Sequence, residues 1–105
     1  MDLERYSFVL LRRGPRALEF SKEELGRLQQ AHLDHLDAMK DRGALAVAGP
    51  FSEQRDETWR GFALYTVELD EALRLAESDP SVRAGRMAVE VFNWWTKKGA
   101  VSFGS

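Results

Sequence analysis

From Tyr6 to Leu11 the chain runs through aromatic, β-branched and aliphatic side chains with one small hydroxyl, Ser7, among them. Such a run, closed by Arg12-Arg13-Gly14-Pro15, predicts a strand buried on at least one face and then a turn. The period then changes. Leu25, Leu28, Leu36 and Met39 fall on one narrow stripe at about 100° per residue, which predicts a helix over residues 22–42. Ser21 with Glu24 three positions on reads as its capping box, and Gly43 as its left-handed stop. Residues 44–48 are apolar and closed by Gly49-Pro50, a second strand, and 52–57 is a polar loop. Residues 58–67 carry Trp59, Phe62, Leu64, Tyr65 and Val67, strong strand formers, with Gly61 marking a bulge or a close backbone approach. Leu69, Ala72, Leu73 and Ala76 repeat at helical spacing over 69–78, with Asp70 and Glu71 at the positive end of the helix dipole. Pro80 forbids continuation, 81–86 is a connector, and 87–95 alternates as a last strand.

The order β-α-β-β-α-β is that of the α+β ferredoxin-like unit: a four-stranded antiparallel sheet with two helices on one face. It occupies residues 1–95 as a single domain, followed by a small polar C-terminal tail, 96–105. The sheet's second face is left uncovered yet also carries apolar side chains. A second copy of the same sheet would cover it, so a homodimer is expected.

Composition removes several functions. The chain has 105 residues, Lys+Arg 15 against Asp+Glu 17, a formal net charge of -2, and no cysteine. A nucleic-acid binder would show a clustered basic excess, so none is expected as a partner. Without cysteine there is no disulfide, thiolate metal site or thiol nucleophile, which fits a reducing cytoplasm. No apolar run approaches the roughly 18–20 residues of a membrane span, and Met1 to Arg5 lacks a signal-peptide layout. A cytoplasmic domain this small has little room to enclose an active site alone.

Two positions carry candidate chemistry. His32 sits within the apolar stripe, between Leu28 and Leu36, where a helix built only for packing would carry Leu. It is either a core histidine satisfied by its surroundings or a general acid/base tuned by partial burial. Asp79, between a helix end and Pro80, is either a turn or cap residue or a carboxylate that fixes a histidine tautomer. Both helices lie on one sheet face, so the two can meet. His35 lies on the flank of the stripe. The pair His32 and His35 lacks a third ligand, so no metal is expected. Ser7 could face the helices, but no nucleophile elbow surrounds it. Arg12, Arg13 and Arg16 are either a solvated turn or the anion-recognising rim of a pocket. Trp59, Trp94 and Trp95 read as core or interface residues.

The segment His32-Leu33-x-x-Leu36-x-x-Met39-x-x-x-Gly43-x-Leu45-x-x-Ala48-Gly49-Pro50, followed by Glu71-Ala72 and Asp79-Pro80-x-Val82-x-Ala84-Gly85, resembles the YciI-like (YCII-related) family over about residues 6–95. Asn93, where many members have proline, and His35, where an aromatic or basic residue is more usual, depart from its pattern. The resemblance implies a ferredoxin-like fold of the dimeric α/β-barrel group and kinship with small catabolic enzymes that use no cofactor. A proposed His/Asp catalytic centre carries over to His32 and Asp79. The expected function is thus a lyase or isomerase acting on a small cyclic or aromatic metabolite, with Ser7, Arg12, Gly49, Pro50 and Pro80 around the substrate. The alternatives are a non-catalytic small-molecule-binding or interaction module of the same fold, and a haem- or metal-dependent member of the barrel group.

Overall fold

The computed structural model describes residues 2–103. The elements are β1 (Leu3–Arg13), α1 (Lys22–Asp41), β2 (Leu45–Pro50), β3 (Trp59–Tyr65), α2 (Leu69–Glu77), α3 (Pro80–Arg83) and β4 (Met87–Lys97). The strands form one sheet in the order β2-β3-β1-β4, with every neighbouring pair antiparallel. This is the α+β ferredoxin-like arrangement.

Local sequence accounts for the long helix. The Ser21 hydroxyl accepts from the Glu24 amide at 3.1 Å, and the Ser21 amide donates to the Glu24 carboxylate at 2.9 Å. Both ends of the capping box are therefore made, and two otherwise orphaned donors are satisfied. At the other end Gly43 takes φ 76, the left-handed conformation that a side chain disfavours, and α1 stops.

Period-two alternation splits the sheet into two faces. Val9 and Leu11 of β1, with Ala63 and Tyr65 of β3, meet Met39 of α1 and Ala72, Leu75 and Ala76 of α2 in the core. The opposite face carries Phe8 stacked on Phe62 with centroids 5.0 Å apart, Phe92 at 6.1 Å from Phe8, and Phe51 at 6.0 Å from Phe62. Tyr6 and Trp94 lie 6.0 Å apart farther along. Phe92 and Trp94 remain 47% and 37% exposed although each packs against an aromatic ring of β1.

The element boundaries differ in ways the pairing explains. β1 and β4 are paired from Leu3↔Lys97 to Arg13↔Met87, so each extends as far as its partner does. β4 thereby takes in Thr96 and Lys97 from the segment read as tail. Phe103 packs edge-on against Tyr6 at 5.5 Å. Residues 104–105 of the expected tail lie outside the described residues. β2 includes Pro50, tolerated because β2 is an edge strand. The connector 81–86 holds the short helix α3.

One irregularity positions the site. Along β1 and β3, Leu11 pairs with Gly61 but Arg12 pairs with Trp59, so Arg60 is skipped as the extra residue of a bulge. Beside it, a Cβ on Gly61 would stand 2.4 Å from the Gly49 carbonyl oxygen. Both readings of Gly61, bulge and close approach, are met at this point.

Candidate active site

The α1 stripe that faces the sheet carries His32, which is buried at 8% exposure. α2 ends at Glu77, and Asp79 then caps α3, with Pro80 as the first residue of that helix. Pro80 has no amide hydrogen and its ring presets the helical φ, so it suits this place. One Asp79 oxygen, Oδ1, accepts from the Ser81 amide at 2.9 Å and from the Ser81 hydroxyl at 2.8 Å. The other, Oδ2, lies 2.5 Å from Nδ1 of His32. The two alternatives for Asp79, cap residue and histidine partner, are both realised, one on each oxygen.

Burial of Asp79, only 3% exposed, works against its ionisation. The hydrogen bond from His32 and the two from Ser81 outweigh that penalty and hold the carboxyl below its ordinary value of 3.8. An ionised carboxylate only accepts hydrogen bonds, so Nδ1 must carry the hydrogen between them. When the ring is neutral, Nε2 then bears the lone pair. Tyr65, buried in the core, has its hydroxyl pushed up to about 12 by burial and by the Asp79 charge, and stays protonated at neutral pH.

His32 forms part of the wall of a cavity of about 490 Å³, within the usual range for small-molecule sites. Leu25, Leu33 and Leu36 of α1, Leu11 of β1 and Met87 of β4 supply its apolar surface. Ala48, Gly49 and Pro50 line it from β2. Gly49 is unencumbered there, since an added Cβ would meet nothing within 4 Å. Arg13, Arg60, Arg86 and Gln29 supply the polar wall besides His32.

The structure thus brings His32, Gly49 and Pro50 to one cavity, with Asp79 behind His32. Three expected ligand contacts lie off that wall. Ser7 faces the helices but is fully buried, its hydroxyl donating to the Val67 carbonyl at 2.7 Å and accepting from Arg5 at 3.0 Å. Arg12 points to the opposite sheet face, where it pairs with Glu90 at 2.6 Å. Pro80 serves α3. Arg16 pairs with Glu19 at 3.2 Å, outside the cavity. His35 is half-buried away from the wall, and its Nε2 is buried without a hydrogen-bond partner.

Of the arginines read as a solvated turn or a pocket rim, Arg13 alone lines the cavity, and two further wall residues, Arg60 and Arg86, were not foreseen. Arg13 has a signal in the sequence, because it shares the alternation of Val9 and Leu11. Arg60 has a partial one in Gly61, the mark of the bulge beside it. Arg86 has none, since only the packing of its connector against α1 places it. Among the described residues, no group of three or more His, Asp or Glu side chains converges as a metal site, and no helix is long and apolar enough to cross a membrane.

A family model for the YCII-related domain matches residues 7–95, from within β1 to within β4. No curated protein matches the chain. A solved structure it is similar to is the 5-chloro-2-hydroxyhydroquinone dehydrochlorinase (TftG) of Burkholderia phenoliruptrix AC1100, in complex with 2,5-dihydroxybenzoquinone. The match has a TM-score of 0.56 at 25% identity and covers 84% of this chain and 92% of that one.

The lowered value at Asp79 ties stability to pH. A carboxyl held down in the folded state contributes stability that is complete above its ordinary 3.8 and is lost as pH falls through the lowered value. Asp79→Asn removes that contribution. In urea unfolding near pH 6 the variant is expected to be less stable by about 1.5–3 kcal/mol, the worth of hydrogen bonds to a charged group. The gap should narrow as the pH drops below about 4. A gap that stays constant on acidification would contradict an ionised Asp79.

Proposed function

The chain belongs to the YCII-related domain family, and from that premise we propose that it is an enzyme of lyase or isomerase type. It works without a cofactor on a small cyclic or aromatic molecule held in the 490 Å³ cavity. One observation carries the reading: a histidine on the wall of the cavity has Nδ1 occupied by a buried carboxylate, which reserves Nε2 for the ligand.

His32 is the proton carrier in this account and Asp79 its positioning residue. In an elimination, Nε2 takes a proton from a saturated carbon of the ring in its keto form; the electron pair of that C–H bond becomes the new double bond, and the leaving group departs from the neighbouring carbon with its own bonding pair. In an isomerisation the same proton returns at another atom. Asp79 holds the ring in the productive tautomer and stabilises the imidazolium once it forms. General acid–base assistance of this kind is worth about 10²–10⁴-fold. The solved relative is by name a dehydrochlorinase of a hydroquinone, and this supports an elimination on a hydroxylated ring.

We infer further that the aromatic sheet face is covered by a second copy of the chain. Val47, Trp59, Phe92 and Trp94 expose 37–47% of themselves on or beside that face, and a stable pairing needs about 800 Å² from each partner. A second sheet of the same shape supplies that area, and the small domain gains a larger core from it. Light scattering should give about 24 kDa, twice the 12.0 kDa of one chain, and Phe92→Glu should return the mass of one chain. A wild-type protein that stays at the mass of one chain at high micromolar concentration would overturn the pairing.

His32→Asn tests the catalytic reading without removing the buried bond. The asparagine amide occupies the place of Nδ1 and can still donate to Asp79, but nothing replaces Nε2. Its melting temperature should stay within several degrees of the parent, while turnover falls by about 100-fold or more. 5-Chloro-2-hydroxyhydroquinone is the first substrate to assay, with related hydroquinones after it. Unchanged turnover in His32→Asn, or no turnover of any ring the cavity binds, would overturn the reading.

A further inference from the structure

Charge on the cavity wall is out of balance with the rest of the chain. The protein carries a net charge of -2, yet three guanidinium groups line the cavity (Arg13, Arg60 and Arg86) and no Asp or Glu does. Three arginines elsewhere find carboxylates, Arg12 with Glu90, Arg16 with Glu19 and Arg74 with Glu71; the others off the wall, among the described residues, form no ion pair but are scattered rather than gathered at one concavity. Among the described residues, Arg13 and Arg60 form no ion pair. Arg86 meets only neutral groups, the Gln29 side-chain oxygen at 3.2 Å and the Leu25 carbonyl at 3.5 Å. Arg13 and Arg60 are exposed, so solvent screens their repulsion, but three guanidinium groups without carboxylates around one concavity give it a positive field that an anion completes.

The backbone also aims them. Arg13 lies on the helix-facing side of β1, in step with Val9 and Leu11. Arg60 is the residue that the β3 bulge leaves unpaired, and a bulge turns a side chain that a regular ladder would direct elsewhere. Arg86, at the entrance to β4, is steadied by Gln29, one turn before His32 on α1. A permanently charged, planar guanidinium with several donors suits ionised oxygen atoms on a flat ring.

We propose that Arg13, Arg60 and Arg86 form an anion receptor, and that the substrate enters as a ring bearing an ionised enol, phenol or carboxyl group that these arginines hold against His32. The proposal rests on the cavity being the substrate site. The apolar wall takes the faces of the ring, and the arginines take its charged oxygens. Selectivity then comes from charge at the ring edge, because a neutral ring would leave three guanidinium groups unpaired.

Calorimetric titration of the full-length protein provides the test, with two anions and their uncharged counterparts. The anions are 2,5-dihydroxybenzoquinone, ionised at neutral pH, and benzoate; the counterparts are 2,5-dimethoxybenzoquinone and benzamide. At least one anion should bind about tenfold or more tightly than its counterpart, and the more weakly the higher the salt. Arg13→Gln and Arg60→Gln, both exposed and so not expected to disturb folding, should each reduce anion affinity about tenfold and leave the uncharged ring unaffected. Equal affinity for charged and uncharged rings, unaltered binding in both glutamine variants, or no anion binding at millimolar concentration would overturn the receptor. His32→Asn separates this from the catalytic reading, because it keeps all three arginines and should bind the anion within about threefold of the parent. Anion selectivity with undiminished turnover in His32→Asn removes the acid–base role and leaves the receptor standing. Lost turnover without any arginine dependence does the reverse.

Discussion

Asp79 is buried between the end of α2 and the α1 helix, and an ionised group is tolerable there only because each of its oxygens is bonded. Removing a carboxylate from water costs several kcal/mol, which is repaid only with good geometry and satisfied lone pairs. Ser81 supplies two of the bonds from within the turn that Asp79 itself caps. The third comes from His32, 47 residues away, and it requires α1 to cross the sheet beside α3. The ferredoxin-like topology meets that requirement by placing every helix on one sheet face. The same pairing that anchors α3 to α1 also sets the direction in which the imidazole presents its second nitrogen.

The sheet serves two purposes, one on each face. Toward the helices, small side chains on β3 and α2, namely Ala63, Ala72 and Ala76, allow close packing around Tyr65 and leave the cavity to the opposite end of α1. Away from the helices, stacked phenylalanines form a surface with no cover of its own. The Arg60 bulge sits near the strand ends where both faces matter. It interrupts the β1–β3 ladder at its rim, keeps Gly61 tight against the Gly49 carbonyl, and adds a charge to the cavity wall. A regular ladder would have given a flatter sheet and a less charged cavity.

Much of this was written locally in the chain. The capping box at Ser21, the stop at Gly43 and the helix-breaking Pro80 act over a few residues, so the sequence marks them directly. The histidine in an apolar stripe and the aspartate at a helix end were legible for the same reason: each is a residue type at odds with its neighbours. What misled was ending the first strand at Leu11, when β1 runs on to Arg13 and its alternation with it. Arg12 and Arg13 differ by one position and therefore by a whole sheet face, and the bulge that confirms the register lies in another strand. Ser7 was rightly placed on the helix side, but its hydroxyl is used up by the Val67 carbonyl, a partner 60 residues distant. Arg86 depends wholly on how its connector packs on α1, and no local pattern announces that. The lengths of β1 and β4 likewise depend on each other rather than on residue preference.

The central claim is that buried Asp79 fixes the tautomer of His32 so that Nε2 faces the cavity with its lone pair. Long-range proton–nitrogen NMR on uniformly labelled protein, at a pH where both rings are neutral, reads this directly. The chain has only two histidines, and His35→Gln assigns them. The account predicts that Nδ1 of His32 carries the hydrogen and that Nε2 resonates as an unprotonated ring nitrogen. A hydrogen found on Nε2 instead, with Nδ1 bare toward Asp79, would contradict it.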